Sequence, residues 1–424
     1  MAGNPNGSWN RRVWEDINQV GQTFIPSTQS IRVQHNNETQ FGEVLTASRT
    51  PIIELNSAYG TSLLRDVVTL TGSGSKDDVN GTVNTGEIYL STGATSSSTA
   101  TVITAATGRY IPGYSAEIGM GVRLPTAPTT DQSISWGGAT QDGLDGFNFK
   151  YTAEGLFCVR KRGGVEVESI AQSDWNLDRL DGTGVSGYTL DLTRGHIYQI
   201  EYTWYGYGAI RFQIVGTTSD TRQRPIPIHE ITIGTFVGTS VTDPSLRIFV
   251  TVNNGTEAKD ISVYFGGRQY SIIGDYIPKY RYTGDARDST AVTTTLTPLI
   301  SYRHKLNYLN RSLRIHNYNL INTGANTPVK VVIISGGTIT GGSWVNPTGY
   351  IPTETGVEIN RSSTSISGGT IVFSGDLIAP AREGGGVLED LTLDLPVGDP
   401  VTLAAVTFSG TNNCYAGFRL REEW

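Results

Sequence analysis

Cysteine is nearly absent. Cys158 and Cys414 are the only two in 424 residues. They lie far apart, make neither a disulfide framework nor a closely spaced metal motif, and are expected as two free, semi-buried thiols. Histidine is scarce too. His35, His196, His229, His304 and His316 show no H-x-H or H-x-x-x-H spacing, which argues against zinc. No serine sits in a G-x-S-x-G elbow, no cysteine neighbours a histidine, and no Walker-type loop is present. No catalytic residue, metal or cofactor is therefore assigned. Charged residues make up 17% with a net charge of −7, too little for a disordered acidic chain and of the wrong sign for a nucleic-acid groove. No stretch approaches the roughly 20 apolar residues that span a bilayer, so no membrane insertion is expected. The opening MAGNPNGSWNRRVWED lacks the apolar run of a signal peptide, which points to a protein made in the cytoplasm. Helical Ala/Leu/Glu/Lys runs, heptads and fixed-period repeats are missing as well.

What is abundant is glycine, 51 residues, together with frequent Thr, Ser and Asn. That mixture suits strands joined by tight turns, because glycine supplies positive φ and the short polar side chains close local hydrogen bonds. From Pro51 onward strand signals recur at short intervals. Ile118, Met120, Val122 and Leu124 alternate onto one face, as do Phe147, Phe149 and Tyr151, and Leu246, Ile248, Val250 and Val252. GLFCVRKRGGVEVES reads as two strands around Gly163-Gly164. Many short strands without intervening helices indicate antiparallel sandwiches rather than α/β units. The expected fold is all-β: two antiparallel β-sandwich domains, jelly-roll or lectin-like, with an extended N-terminal arm. The arm covers residues 1–50, the larger sandwich 51–285 and the smaller one 286–424. The polar stretch Tyr280 to Thr297 is the expected linker. Within the arm, Trp9, Arg11, Arg12 and Trp14 are the docking candidates, since Trp and Arg favour interfaces.

The densest aromatic and β-branched run is Ser173 to Gly216. Tyr198, Ile200, Tyr202 and Trp204 alternate against Gln199, Glu201 and Thr203. A turn at Tyr205-Gly206-Tyr207-Gly208 follows, and then Ile210, Phe212 and Ile214 resume the alternation. This is a β-hairpin with one buried face. Tyr205 and Tyr207 at its tip either fold back over the sandwich or form a contact for a glycan or a partner. Gly182 to Gly187 matches G-x-G-x-x-G, but YTLDLT after it reads as strand rather than helix, so a turn is the better account than a dinucleotide site. Asp174, Asp178, Asp181 and Asp191 either cap turns through Asx hydrogen bonds or offer oxygens to Ca²⁺. Glu54, Glu117 and Glu201 lie within strands. A hydrolase built on them would need two carboxyls facing across a cleft.

The run SDWNLDRLDGTGVSGYTLDLT, followed by I-x-x-I-E-Y-x-W-Y-G-Y-G-A-I-R-F, resembles the virion structural proteins of tailed bacteriophages. The segments LSTGATSSSTATVITAATGRYIPGYSAEIGMGVRL, GLDGFNFKYTAEGLFCVRKRGG, PLISYR and SLRIHNYNLINTGANTPVKVVII are similar to the same family, so the resemblance runs from about Pro51 to the end. It implies a non-enzymatic β-sandwich component of the virion, an exterior capsid decoration or fibre-like protein docking through its arm, with other virion proteins and further copies of itself as partners. The alternatives are a tail or baseplate protein, or an adhesin for a host-surface glycan. Tyr205 and Tyr207 depart from the family pattern, in which smaller or aliphatic residues often occupy that turn.

Overall fold

The computed structural model describes residues 49–78, 86–217, 223–232, 238–277, 279–308, 311–323, 327–377, 383–388, 395 and 398–423, with two short strands at 23–25 and 30–32. Trp9, Arg11, Arg12 and Trp14 lie outside the described residues. In chain order the strands begin with β1 (Thr23–Ile25), β2 (Ser30–Arg32), β3 (Arg49–Leu55), β4 (Asp66–Thr71), β5 (Ser75–Asp77) and β6 (Ile88–Ser91). They continue with β7 (Thr99–Thr104), β8 (Ser115–Arg123), β9 (Ser133–Ala139), β10 (Gly146–Thr152), β11 (Gly155–Arg162) and β12 (Val165–Ala171). Then come β13 (His196–Tyr202), β14 (Ile210–Thr217), β15 (Gln223–Ile231), β16 (Arg247–Asn253) and β17 (Ser262–Ile273). One sheet runs β12-β11-β10-β9-β16-β7-β4. The other runs β15-β14-β13-β8-β17-β6-β5, with β3 also on β17. Every pairing among the described residues is antiparallel.

Period-two alternation sends one face of each of these sheets into a shared core. Ile118, Met120 and Val122 of β8 are buried there, as are Ile248, Val250 and Val252 of β16. Aromatic rings join the sheets. Trp136 and Phe149 come from β9 and β10, and Tyr198 and Phe212 from β13 and β14. Trp136 meets Tyr198 at 4.9 Å between centroids, and Phe149 meets Tyr198 at 5.0 Å and Phe212 at 5.3 Å. Burying each such ring stabilises the fold by roughly 1.5–3 kcal/mol. The hairpin expected at 197–214 is therefore present as β13–β14, and its apolar face is the inter-sheet contact.

The second series comprises β18 (Tyr280–Val292), β19 (Thr297–His304), β20 (Leu313–Asn322), β21 (Val329–Ser335), β22 (Thr338–Thr340) and β23 (Val357–Asn360). It ends with β24 (Ser365–Ser367), β25 (Thr370–Leu377), β26 (Glu383–Val387), β27 (Val401–Thr407) and β28 (Asn412–Glu423). Sheets β18-β28-β20-β26 and β23-β19-β27-β21-β25 enclose a separate core that includes Tyr302, Leu320, Ile333, Leu403 and Phe418. The expected linker at 280–297 is instead mostly strand. β18 pairs along β28 from Tyr280 to Val292, so it belongs to the second series and crosses the expected 285/286 division. Its polar composition reflects an edge position, where only scattered residues such as Thr283 and Val292 are buried.

Candidate functional site

The 173–191 stretch is wired to itself. Asp178, nearly fully buried, accepts backbone N–H bonds from Leu180 at 2.9 Å and Ser186 at 2.8 Å. Asp181 and Asp191 each accept from the backbone N–H and hydroxyl of the threonine two residues on. The Thr183 bonds lower the Asp181 carboxyl below the usual carboxylate range, and the Thr193 bonds do the same for Asp191. These three aspartates are thus turn caps. Gly184 passes so close to Asp178 that a Cβ would sit 2.0 Å from its Oδ1. The G-x-G-x-x-G run is a turn, as expected, but YTLDLT is not a strand. It is held by one bridge between Asp181 and Thr189 and by the Asp191 turn. Asn176 ties the loop to β15, donating to the Glu230 carbonyl and accepting its N–H, both at 2.9 Å. Its own N–H donates to His229 Nδ1 at 3.3 Å. Among the described residues no group of three or more His, Cys, Asp or Glu side chains is placed to hold a metal ion.

Tyr205 and Tyr207 do not fold back. They remain 64% and 62% exposed at the β13–β14 turn, with Tyr205 at φ 38°. Trp204 beside them is anchored inward, its Nε1 donating to the Val241 carbonyl at 3.3 Å.

A groove of about 540 Å³ lies elsewhere, on the face of the β8-containing sheet that turns away from the core. Strand register builds it. Gly119 of β8 sits opposite Gln199 of β13 and Gln269 of β17, and Gln269 sits opposite Glu54 of β3. One row across four strands thus reads Gln199, Gly119, Gln269, Glu54. The next row places Glu117 between Glu201 and Ser271. Gly121 continues the floor opposite Ile197. Gln269 lies against Gly119, its Cγ 3.3 Å from where an added Cβ would sit, and Gly121 leaves the sheet bare beside it. At Gly121 an added Cβ would meet nothing within 4 Å, so neither packing nor a positive φ calls for glycine there.

Glu117, 2% exposed, is the hub beneath the groove. It forms an ion pair with Arg49 at 2.8 Å and accepts from Gln269 Nε2 at 2.8 Å and Gln199 Nε2 at 3.3 Å. That carboxylate fixes the Gln199 amide with its nitrogen toward Glu117. The Gln199 Oε1, also buried, is left without a hydrogen-bond partner. An orphaned buried acceptor in a groove wall asks for a donor. Arg268, which also lines the groove, is neutralised by Asp66 at 2.7 Å. Arg268 is in register with the core residue Met120 and its guanidinium is turned to the other sheet, so the site offers amides together with the exposed Asn56 carboxamide and Glu54 carboxylate, its cations being paired. A ligand whose hydroxyls each donate and accept matches such a set better than a phosphate does.

Of these residues, sequence reasoning singled out Glu54, Glu117 and Glu201, as carboxylates to weigh for hydrolysis. Glu117 is held by three donors rather than open to a cleft. The signal for the groove is visible in AEIGMGVR, where the non-core face of a strand reads Glu, Gly, Gly.

No protein-family model matches the chain, and no curated protein matches it. Several solved structures are similar over about half of the chain. A protein of unknown function from Shewanella oneidensis MR-1 aligns at 14% identity over 54% of this chain and 86% of its own, with a TM-score of 0.34. The carbohydrate recognition domain of Emp47p aligns at 13% identity over 54% of this chain and 97% of its own, TM-score 0.30. A carbohydrate esterase from the Shiga toxin-encoding bacteriophage phi24B aligns at 10% identity over 54% of this chain and all of its own, TM-score 0.31.

Proposed function

We propose that this chain is a non-enzymatic bacteriophage virion component whose larger sandwich binds a neutral glycan in the β8 groove. The carrying observation is the glycine floor at Gly119 and Gly121, walled by Gln199 and Gln269, with the Gln199 acceptor unpartnered. The pre-set amides need little ordering on binding, which favours affinity. Virion membership rests on the resemblance of the 173–216 motif. The wiring of that motif supports a framework role and offers no reacting group. Exposed Tyr205 and Tyr207, beyond the C-terminal end of β13 and away from the groove residues Ile197 and Gln199, supply a second contact suited to a partner protein.

The test is calorimetric titration of the full chain with a panel of neutral hexasaccharides built on glucose, mannose, galactose and xylose. Binding by the wild type that falls at least tenfold in Gly121→Val, with an unchanged melting temperature, is the expected result. Equal affinity in Gly121→Val would remove the groove from the account. Particle membership is checked by mass spectrometry of purified particles, and the arm by deleting residues 1–20, which should abolish incorporation.

A further inference from the structure

The smaller sandwich carries a groove of its own, about 700 Å³, on the outer face of the β18-β28-β20 sheet. Its construction parallels that of the first groove but its chemistry differs. Register places Gly417 of β28 between Ala286 of β18 and Asn319 of β20. A Cβ at Gly417 would meet only the Asn319 Cβ, at an ordinary 3.8 Å, so this glycine too is not required by packing. Gly284, in contrast, makes room for Arg419, whose Cγ would lie 2.4 Å from an added Cβ.

Aromatic rings form the wall. Tyr282 is 47% exposed, and its ring packs against His316 at 4.5 Å between centroids. Tyr350 lies on the adjoining loop with its hydroxyl fixed at both ends, accepting from the Gly284 N–H at 3.2 Å and donating to the Tyr282 carbonyl at 3.3 Å. Asp285 holds that loop in place, accepting from the Thr348 N–H at 2.9 Å and from Arg361 at 3.2 Å. The Arg281 guanidinium sits 5.7 Å from the centre of the Tyr350 ring. Two tyrosines are thus set beside exposed Asn319 and Arg419 over a bare strand.

We propose that this groove is a second saccharide site, which takes a pyranose by stacking its apolar C–H face on Tyr282 while Asn319 and Arg419 bond its hydroxyls. A flat ring with an adjacent amide suits a sugar because one face of a pyranose is apolar and its rim is polar. The first groove has no aromatic ring in its wall, so the two sites select by different means, and this one stands independently of the other.

The same hexasaccharide panel separates them when titrated into the full chain. Wild type should bind panel members at two sites, Gly121→Val at one, and Gly417→Val at the other one only. Tyr282→Ala should weaken the Gly417-sensitive site at least tenfold, and Tyr282→Trp should retain it, a rescue that a purely structural role for the ring would not give. Circular dichroism confirms that each variant is folded. The proposal is overturned if Gly121→Val binds no panel member, if Gly417→Val leaves every titration unchanged, or if Tyr282→Ala binds as wild type does. Binding lost in Gly417→Val and intact in Gly121→Val would overturn the first groove and support this one.

Discussion

Asp178 illustrates how one side chain can organise a loop. It is buried, and its two oxygens reach backbone N–H groups at Leu180 and Ser186. Leu180 itself is buried at φ 51°, a conformation that the loop holds against its local cost. Replacing Asp178 by alanine strands two N–H groups, each hydrogen-bonded to a charged partner at a contribution of about 1.5–3 kcal/mol. A loss of about 3 kcal/mol in urea unfolding is expected for Asp178→Ala, and Asp181→Ala at the surface should cost far less. The sequence showed aspartates in a turn-rich run. It could not show that Asp178 alone is buried, because its second partner lies eight residues on. The cysteines give a separate test. Burial pushes the Cys158 thiol well up, and that of Cys414 up to about 11. Both thiols are therefore held in the protonated, unreactive form near neutral pH. Neither thiol should react with a disulfide reagent in the folded chain, and both should react once urea unfolds it.

At the scale of elements, the 173–191 loop docks on β15 through a pH-sensitive contact. Burial holds the His229 imidazole below its usual range, against the raising influence of Glu168 and Glu230. The neutral ring accepts the Asn176 N–H. The native state therefore binds a proton less readily than the unfolded chain. This contact contributes in full above the ordinary imidazole pKa near 6.5, and the contribution is lost as pH falls from there through the folded value. Melting temperature should drop between pH 7 and pH 5, and the drop should be smaller in His229→Gln. The hairpin tip behaves differently. Tyr205 adopts φ 38° in the left-handed region, which costs a non-glycine residue roughly 1–2 kcal/mol. Tyr205→Gly should leave the fold at least as stable, while Tyr207→Ala should change stability by less than about 0.5 kcal/mol. The hairpin was legible because alternation and turn chemistry agree in one stretch. β18 was not, because TGDARDST carries no apolar alternation and its strand character comes from β28.

For the molecule as a whole, two all-β sandwiches were readable from periodicity, since each core-facing stripe is written in consecutive residues. The grooves were not. Each is assembled by register from strands far apart in sequence, as when Gln199, Gly119, Gln269 and Glu54 meet in one row. The same holds for the ion pair between Asp66 of β4 and Arg268 of β17, which links the two sheets of the larger sandwich with both side chains almost fully buried. Removing one partner leaves the other charge uncompensated, so Asp66→Ala should destabilise by about 3–5 kcal/mol, read as a lower urea midpoint. Topology also sets a timetable. β28 lies between β18 and β20, and β18 has no other strand neighbour in its sheet. About 120 residues separate the end of β18 from the start of β28, so at synthesis rates of about 5–20 residues per second β18 waits for roughly 6–24 seconds with its partner unmade. Its Asp285, Arg287 and Asp288 keep that waiting edge charged. A strand with the polar composition of a linker is thus suited to remaining unpaired on the ribosome without recruiting a neighbouring chain.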